Sequence, residues 1–265
     1  RYLKKTSHGA IRRLDNPNKV IQDSEKHYLL CGDCEDLFST YETKFANKFF
    51  YPYQNDGVKE FCYDSDAYYF LTSVSWRSLY LDILDYVKNP LEIGIDIEIL
   101  TCLIDRERSM REYLLKKKTI AEGIENHIFF FDDVKEFLNK PEGVKPHFTF
   151  HRGEDSYTFF NISTKTYATI TNMMGIILFT LYNKGKDEYW ENTEVTNGEG
   201  ILKAQNQIIQ SVCGKEMIDM MKRSEKEVKK TSKNQSEKIL KKITDDPEGF
   251  AKSKAFEALK KDFNI

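Results

Sequence analysis

No apolar run in this sequence is long enough to cross a bilayer. The longest, Met173 to Tyr182, falls far short of the roughly 20 residues that a membrane helix needs. No signal peptide opens the chain, and no set of closely spaced cysteines implies a disulfide framework. Of the five cysteines only Cys31 and Cys34 are neighbours. Cys62, Cys102 and Cys213 stand singly in apolar contexts, as buried free thiols do. These absences imply a reducing, cytoplasmic environment. Nor does one sign of charge dominate. Forty basic against 42 acidic residues leave a formal net charge of −2, so any polyanion contact must be a local patch. The sequence also lacks a P-loop, a dinucleotide fingerprint, a GxSxG elbow and internal repeats.

What is present is aromatic. Fifteen Tyr and 18 Phe in 265 residues mark a folded chain, long enough for one large domain or two small ones. Residues 1–30 are polar and basic, with Lys4, Lys5, Arg12, Arg13 and Lys19 and a turn signal at Asn16-Pro17-Asn18. His27-Tyr28-Leu29-Leu30 reads as a short strand leading into Cys31-Gly32-Asp33-Cys34. Phe38, Tyr41, Phe45 and Phe49 then recur at helical spacing, predicting a helix that stops before Pro52. A second helix, capped by Asp64 or Ser65 and stopped at Asn89-Pro90, carries an inner stripe of Tyr69, Ser73, Trp76, Tyr80, Ile83 or Leu84, and Val87. A third covers Ile97 to Lys118.

Strands follow. Ile128–Phe131, His147–Arg152, Tyr157–Ile162 and Tyr167–Tyr182 are aromatic or β-branched runs separated by turn residues, predicting an antiparallel meander. Met173-Met174-Gly175 reads as core strand within the last of them. From Gln207 onward the pattern is helical, thinly apolar beyond Lys222, with a last short helix over Gly249–Phe263. Helices, then strands, then helices predict the α+β class. Three segments are expected: 1–57 as a half treble-clef finger region, 58–206 as helical core and sheet, and 207–265 as a C-terminal helical segment suited to docking a protein partner. Nothing in the sequence indicates an oligomeric state.

Cys31 and Cys34 carry the clearest chemistry. A CxxC turn lets two thiolates converge on one ion at about 2.3 Å, Gly32 suits the tight knuckle, and a following helix favours the thiolate. Strand, knuckle and helix in this order form the C-terminal half of a treble-clef finger holding a structural Zn²⁺, with two further ligands from an earlier knuckle. Two other readings stand beside this one: a redox pair, against which the missing βαβ pattern weighs, and two unconnected thiols. His27, four residues before Cys31 on the expected strand, is badly placed to fold back onto the ion, whereas His8 is free to do so.

The stretch Asn16-Pro-Asn-Lys-Val-Ile-Gln-Asp23, followed by Tyr28-Leu-Leu-Cys-Gly-Asp-Cys-Glu35 and Phe38-Ser-Thr-Tyr-Glu42, resembles bacterial proteins with an HNH-like treble-clef zinc finger. Ser75-Trp76-Arg77 resembles the same group. The likeness covers about the first 90 residues. It implies nucleic acid as substrate, a role in defence against phage or mobile DNA, and, where such proteins cut, a Mg²⁺ or Mn²⁺ ion beside a general-base histidine. It also places a CxxC and a Ser-His-Ile-Ile-Pro-like segment before the finger. The chain starts at Arg1 without a methionine, and Ser7-His8 followed by Gly9-Ala10-Ile11 is the local echo of that segment. His8 is thus the candidate base, with a solvated loop histidine as the competing reading. Glu35 and Glu42, about two turns apart on one helix face, are candidate ligands of the catalytic ion or else exposed charges.

Two other patterns bear on function. Arg106, Arg108 and Arg111, with Lys4, Lys5, Arg12 and Arg13, form a candidate phosphate-tracking surface. Asp105, Glu107 and Glu112 among them favour a solvated helix face instead. His147 and His151 are about 13 Å apart if their segment is a strand, which excludes a shared metal. Phe148-Thr149-Phe150 favours the strand, and structural roles are expected for both histidines.

Overall fold

The computed structural model describes residues 2–3, 11–21, 27–131 and 142–263. It is an α+β protein, as the sequence predicts. A five-stranded antiparallel sheet lies between two helical layers. Its strands are β4 (Glu125–Phe130), β5 (Glu154–Asn161), β6 (Thr166–Met173), β7 (Ile176–Asn183) and β9 (Glu194–Val195), in the order β5-β6-β7-β4-β9. The period-2 alternation of strands sorts the two faces. Ile128, Phe130, Ile176, Leu178 and Tyr182 turn to one apolar cluster, while Phe129, Ile177, Phe179 and Leu181 turn to the other. Both faces are covered, so β6 and β7 are buried almost end to end.

The first layer is built on α3 (Ser65–Lys88), whose N-cap Asp64 accepts from the Asp66 N–H at 3.0 Å. Against it pack α1 (Gly32–Phe45) and α5 (Ile97–Leu114). Residues Ala67 to Ser73 of α3 are buried without a break, because helices cover one side and the sheet the other. Towards its end α3 buries Ile83 and Tyr86, whereas Leu84 and Val87, both in the expected stripe, are exposed. The second layer is α7 (Val212–Val228), which sets Met217, Met220 and Met221 against the opposite face.

Smaller elements tie these layers together. A hairpin of β1 (Ile11–Arg12) and β2 (Val20–Ile21) docks at the entry to α8 (Lys233–Asp245): Asn18 donates to the Lys230 carbonyl and accepts from the Ser232 N–H, and Arg12 reaches Gln235. β3 (Glu60–Tyr63) pairs with β10 (Gly200–Lys203), and β8 (Tyr189–Glu191) with β11 (Ile208–Gln210). A short α4 (Pro90–Ile93) precedes α5, and α9 (Pro247–Ala251) precedes α10 (Lys254–Phe263). α10 returns to pack on α6 (Pro146–Arg152).

Five local expectations are corrected. The helix opened by the cysteines does not stop before Pro52. It passes through a π-helical turn at Ala46–Phe50 into α2 (Tyr51–Asp56) and ends at Gly57 in the left-handed region. The wider turn absorbs a proline that has no N–H to give. Residues 27–30 form no strand. His147–Arg152 is helical: Pro146 fits the first turn, and the two Asp262 carboxylate oxygens accept the His147 and Phe148 N–H groups at 2.9 and 2.8 Å. The run Tyr167–Tyr182 is two strands joined by Met174-Gly175, both at positive φ (54° and 93°), as a two-residue hairpin requires. Ile208–Gln210 is strand, and the last helical region begins only after Ser211, whose hydroxyl accepts from the Cys213 N–H.

A row of polar side chains crosses the sheet on the α3 face. Thr158, Thr169, Thr180 and Asn126 are cross-strand partners along β5, β6, β7 and β4. Thr158 and Thr169 hydroxyls meet at 2.8 Å, and Thr169 meets Tyr182 at 2.6 Å. Thr180 lies 2.7 Å from the Ser75 hydroxyl and 2.6 Å from the Asn126 carbonyl oxygen, while Asn126 donates to Thr72 at 3.0 Å. At the open edge of β5 the Thr158 N–H donates to Asp82 at 2.7 Å and the Thr158 carbonyl accepts from the Tyr86 hydroxyl at 2.6 Å. Two α3 side chains thus stand where a further strand would bond.

Thr180→Val, near-isosteric, strands the Ser75 and Asn126 groups in a dry interior. The expected loss is about 2 kcal/mol by urea denaturation, with no change in far-UV circular dichroism. Burial pushes the Asp82 carboxyl up to about 6. As pH rises above 4 the unfolded chain ionises first, so Asp82 withdraws up to about 3 kcal/mol of stability by pH 7. Asp82→Asn keeps the acceptor, and the expected melting temperatures lose this component of their decline between pH 4 and 7.

Candidate metal centre at the start of helix α1

α1 begins where the chain leaves the extended conformation at Cys31 (φ −80°, ψ 166°), and the Cys31 carbonyl accepts the first helical bond from Glu35 N–H at 2.9 Å. Cys31 is therefore the N-cap and Cys34 lies in the first turn, so both sulfurs sit at the end where helix N–H groups lack partners. Cys31 is exposed and Cys34 half-buried. The Cys34 N–H and the Cys34 thiol both point to the Cys31 sulfur and hold its thiol below the ordinary range. By the same contact the Cys34 thiol is pushed up. One sulfur is lowered, the other supplies its hydrogen bond, and Asp33 opposes negative charge on both.

The helix that carries the pair is anchored by rings. Phe38 meets Tyr69 and Trp76 edge-on at 6.0 and 6.2 Å, Tyr41 stacks on Tyr69 at 3.8 Å, and Phe45 stacks on Phe70 at 4.0 Å. Lys44 pairs with Asp66 at 2.8 Å, and Lys48 pairs with Asp64. Cys34 acts electrostatically on Tyr69 of α3, a minor cause beside burial of that phenol.

The other expected site residues are dispersed. Lys4, Lys5 and His8 lie outside the described residues. Glu35 is exposed on the turn after the cysteines, whereas Glu42 accepts from Arg77 at 2.8 Å and ties α1 to α3. Arg106 donates to the Tyr182 carbonyl at 3.2 Å and lies flat on Gly123, where a Cβ would stand 2.3 Å from the guanidinium carbon. Arg108 is 3.7 Å from Asp105, and Arg111 is 3.1 Å from the buried Glu107, which also accepts from Trp76 at 2.9 Å. Arg13 pairs with Asp15 at 2.8 Å, and Arg12 reaches Gln235 at 3.3 Å. The arginines are bound into separate pairs and form no common stripe. Among the described residues no three His, Cys, Asp or Glu side chains stand together as a complete metal shell. No described helix is long and apolar enough to cross a membrane.

The sequence places His147 and His151 on a strand, about 13 Å apart; the structure places them on α6. In the helix, His147 and His151 are one turn apart with parallel rings 5.4 Å between centroids, both against Phe131. Pro146 followed by an i, i+4 pair and closed by Gly153 is a helix signal that the Phe-Thr-Phe alternation masked.

No protein-family model, no curated protein and no solved structure matches the chain.

Cys31 is expected to alkylate with iodoacetamide at neutral pH well before Cys34, Cys102 and the buried Cys213, whose thiols are all raised. Site-resolved mass spectrometry against pH checks this order. Equal rates at Cys31 and Cys102 would contradict the assigned polarity of the pair.

Proposed function

We propose that the chain is a zinc-finger protein in which Cys31 and Cys34 supply two thiolates of a structural zinc site, and that the finger-bearing scaffold docks a partner rather than cutting nucleic acid. The observation that carries this reading is the cysteine-capped start of α1, where two accessible sulfurs meet and the Cys31 thiol is lowered by Cys34. Thiolate pairs at this spacing fit half of a tetrahedral zinc shell. A bound ion would fix the chain entering α1, because ligation replaces the sulfur–thiol contact with two bonds to one centre.

Docking is supported by α8. None of its residues is buried, and Ile239 and Leu240 (61% exposed) lie among Lys238, Lys241 and Lys242. A partner with an apolar strip flanked by acids fits that face. The endonuclease reading draws on the resemblance at residues 16–42 and 75–77, with His8 as its base. The described geometry lends it Glu35 alone, since Glu42 is bonded to Arg77.

Metal analysis of the purified chain is expected to find one zinc per chain if its own residues complete the site, or one per two chains if copies share it. Cys31→Ser and Cys34→Ser should each release the metal and lower the melting temperature. A metal-free protein whose melting is indifferent to added zinc and to chelator would remove the proposal. Nicking of plasmid DNA with Mg²⁺ or Mn²⁺, lost in His8→Ala, would instead favour the nuclease.

A further inference from the structure

Glu125 and His127 open β4, on the sheet face turned away from α3. His127 is buried (1% exposed) and held on three sides. Its ring stacks on Trp190 of β8 at 4.3 Å, its register partner on β7 is Phe179, and its Nδ1 lies 3.0 Å from the Thr193 hydroxyl. Trp190 is itself fixed, since its indole N–H donates to Glu188 at 3.1 Å. The second ring nitrogen of His127, Nε2, is closed off from solvent and has no hydrogen-bond partner among the described residues. It faces the Glu125 carboxylate, whose Oε2 is 3.6 Å away.

That separation decides between two kinds of contact. An N–H···O hydrogen bond brings nitrogen and oxygen to about 2.7–3.2 Å, so 3.6 Å is too long for one. Two ligand atoms bonded at about 2.1 Å to one tetrahedral ion stand about 3.4 Å apart, close to what is seen. With Nδ1–H donating to Thr193, Nε2 presents a lone pair to the carboxylate, and a cation is what joins two such atoms. In the structure Lys184 brings positive charge to this place, its ammonium lying 2.9 Å from the same Oε2. The Lys184 and Glu125 side chains are 36% and 40% exposed, so the ammonium is free to swing out and an ion to enter from solvent. Glu194, the register partner of His127 on β9, leaves the sheet on the same face and adds a second carboxylate there.

We propose that Glu125 and His127 form a site for a divalent transition-metal ion of the zinc class, bound through Oε2 and Nε2 in place of the Lys184 ammonium, with water completing the shell. An imidazole nitrogen beside a carboxylate selects Zn²⁺-like ions over Mg²⁺ and Ca²⁺, which take oxygen ligands. Thr193 supports the site by accepting the Nδ1 proton, which fixes the nitrogen that faces the ion. The site lies at the start of β4, shares no residue with the cysteine pair and does not depend on it.

The test titrates the full chain with Zn²⁺ by calorimetry and with Co²⁺ by visible absorption, with and without the pair of changes Cys31→Ser and Cys34→Ser. Saturable binding of one ion per chain is expected to survive loss of the cysteines and then to show no sulfur-to-cobalt charge-transfer band. Glu125→Gln should abolish it, and Thr193→Val should weaken it about tenfold. Lys184→Met should tighten it, because the competing ammonium is gone, and a misfolded variant does not gain affinity. Glu125 and Lys184 reach solvent, so their variants remain informative if a change at buried His127 prevents folding. Glu125-dependent binding in a chain whose cysteines take up no metal would uphold this site and remove the finger. Binding that vanishes with the cysteines, or Glu125→Gln and Lys184→Met chains that titrate like their parent, would overturn the proposal and leave Glu125 and His127 as a plain ion pair.

Discussion

The contact between α3 and the central sheet is made partly of hydroxyls and amides, and this sets the terms for everything around it. An apolar interface tolerates sliding. A buried row from Thr158 to Asn126, closed by Ser75, Thr72 and Tyr182, does not, because any shift leaves donors and acceptors without partners in a dry interior. The row also crosses four strands at one level, so it locks strand register as well as helix position. α1 then stands on α3, and the cysteine pair stands on α1. Placement of the candidate metal centre is inherited from that seam.

The same logic separates residues that serve the fold from those left for chemistry. Glu42, Arg106 and Arg111 are site candidates in the sequence. In the fold Glu42 bonds to Arg77 and Arg106 to the Tyr182 carbonyl, each across two elements, while Arg111 pairs with Glu107 on its own helix. Cys31 behaves differently: it is exposed, and its thiol is lowered by the Cys34 N–H and thiol.

The α+β class was legible because it rests on long patterns, such as the stripe from Tyr69 through Ile83 and the apolar run of Ile176–Tyr182. The failures were local and share a cause. Phe148-Thr149-Phe150 alternates like a strand, but Asp262, more than a hundred residues away, caps that segment as a helix. Pro52 reads as a stop until the π-turn ahead of it is known. Met174-Gly175 is hidden inside an apolar run because a hairpin turn buried under α2 has no need of polar residues; Gln54 and Tyr53 bond to its carbonyls instead. Cys31 and Cys34 were legible because a two-residue spacer and a helix start are short-range facts.

The π-helical turn at Ala46–Phe50 has an evolutionary consequence. Such a turn is what one inserted residue leaves in an α-helix, and here it falls between the aromatic anchor at Phe45 and the clasp that Tyr53 and Gln54 make on the β6–β7 hairpin. It acts as a phase adjuster, letting the first part of the helix face α3 and the second part face the sheet. Winding the same residues into a regular helix would carry Tyr53 and Gln54 about 100° round the axis, away from the hairpin they clasp. The stretch from 46 to 50 should therefore accept the loss of one residue, which removes the turn and keeps the phase, more readily than the gain of one.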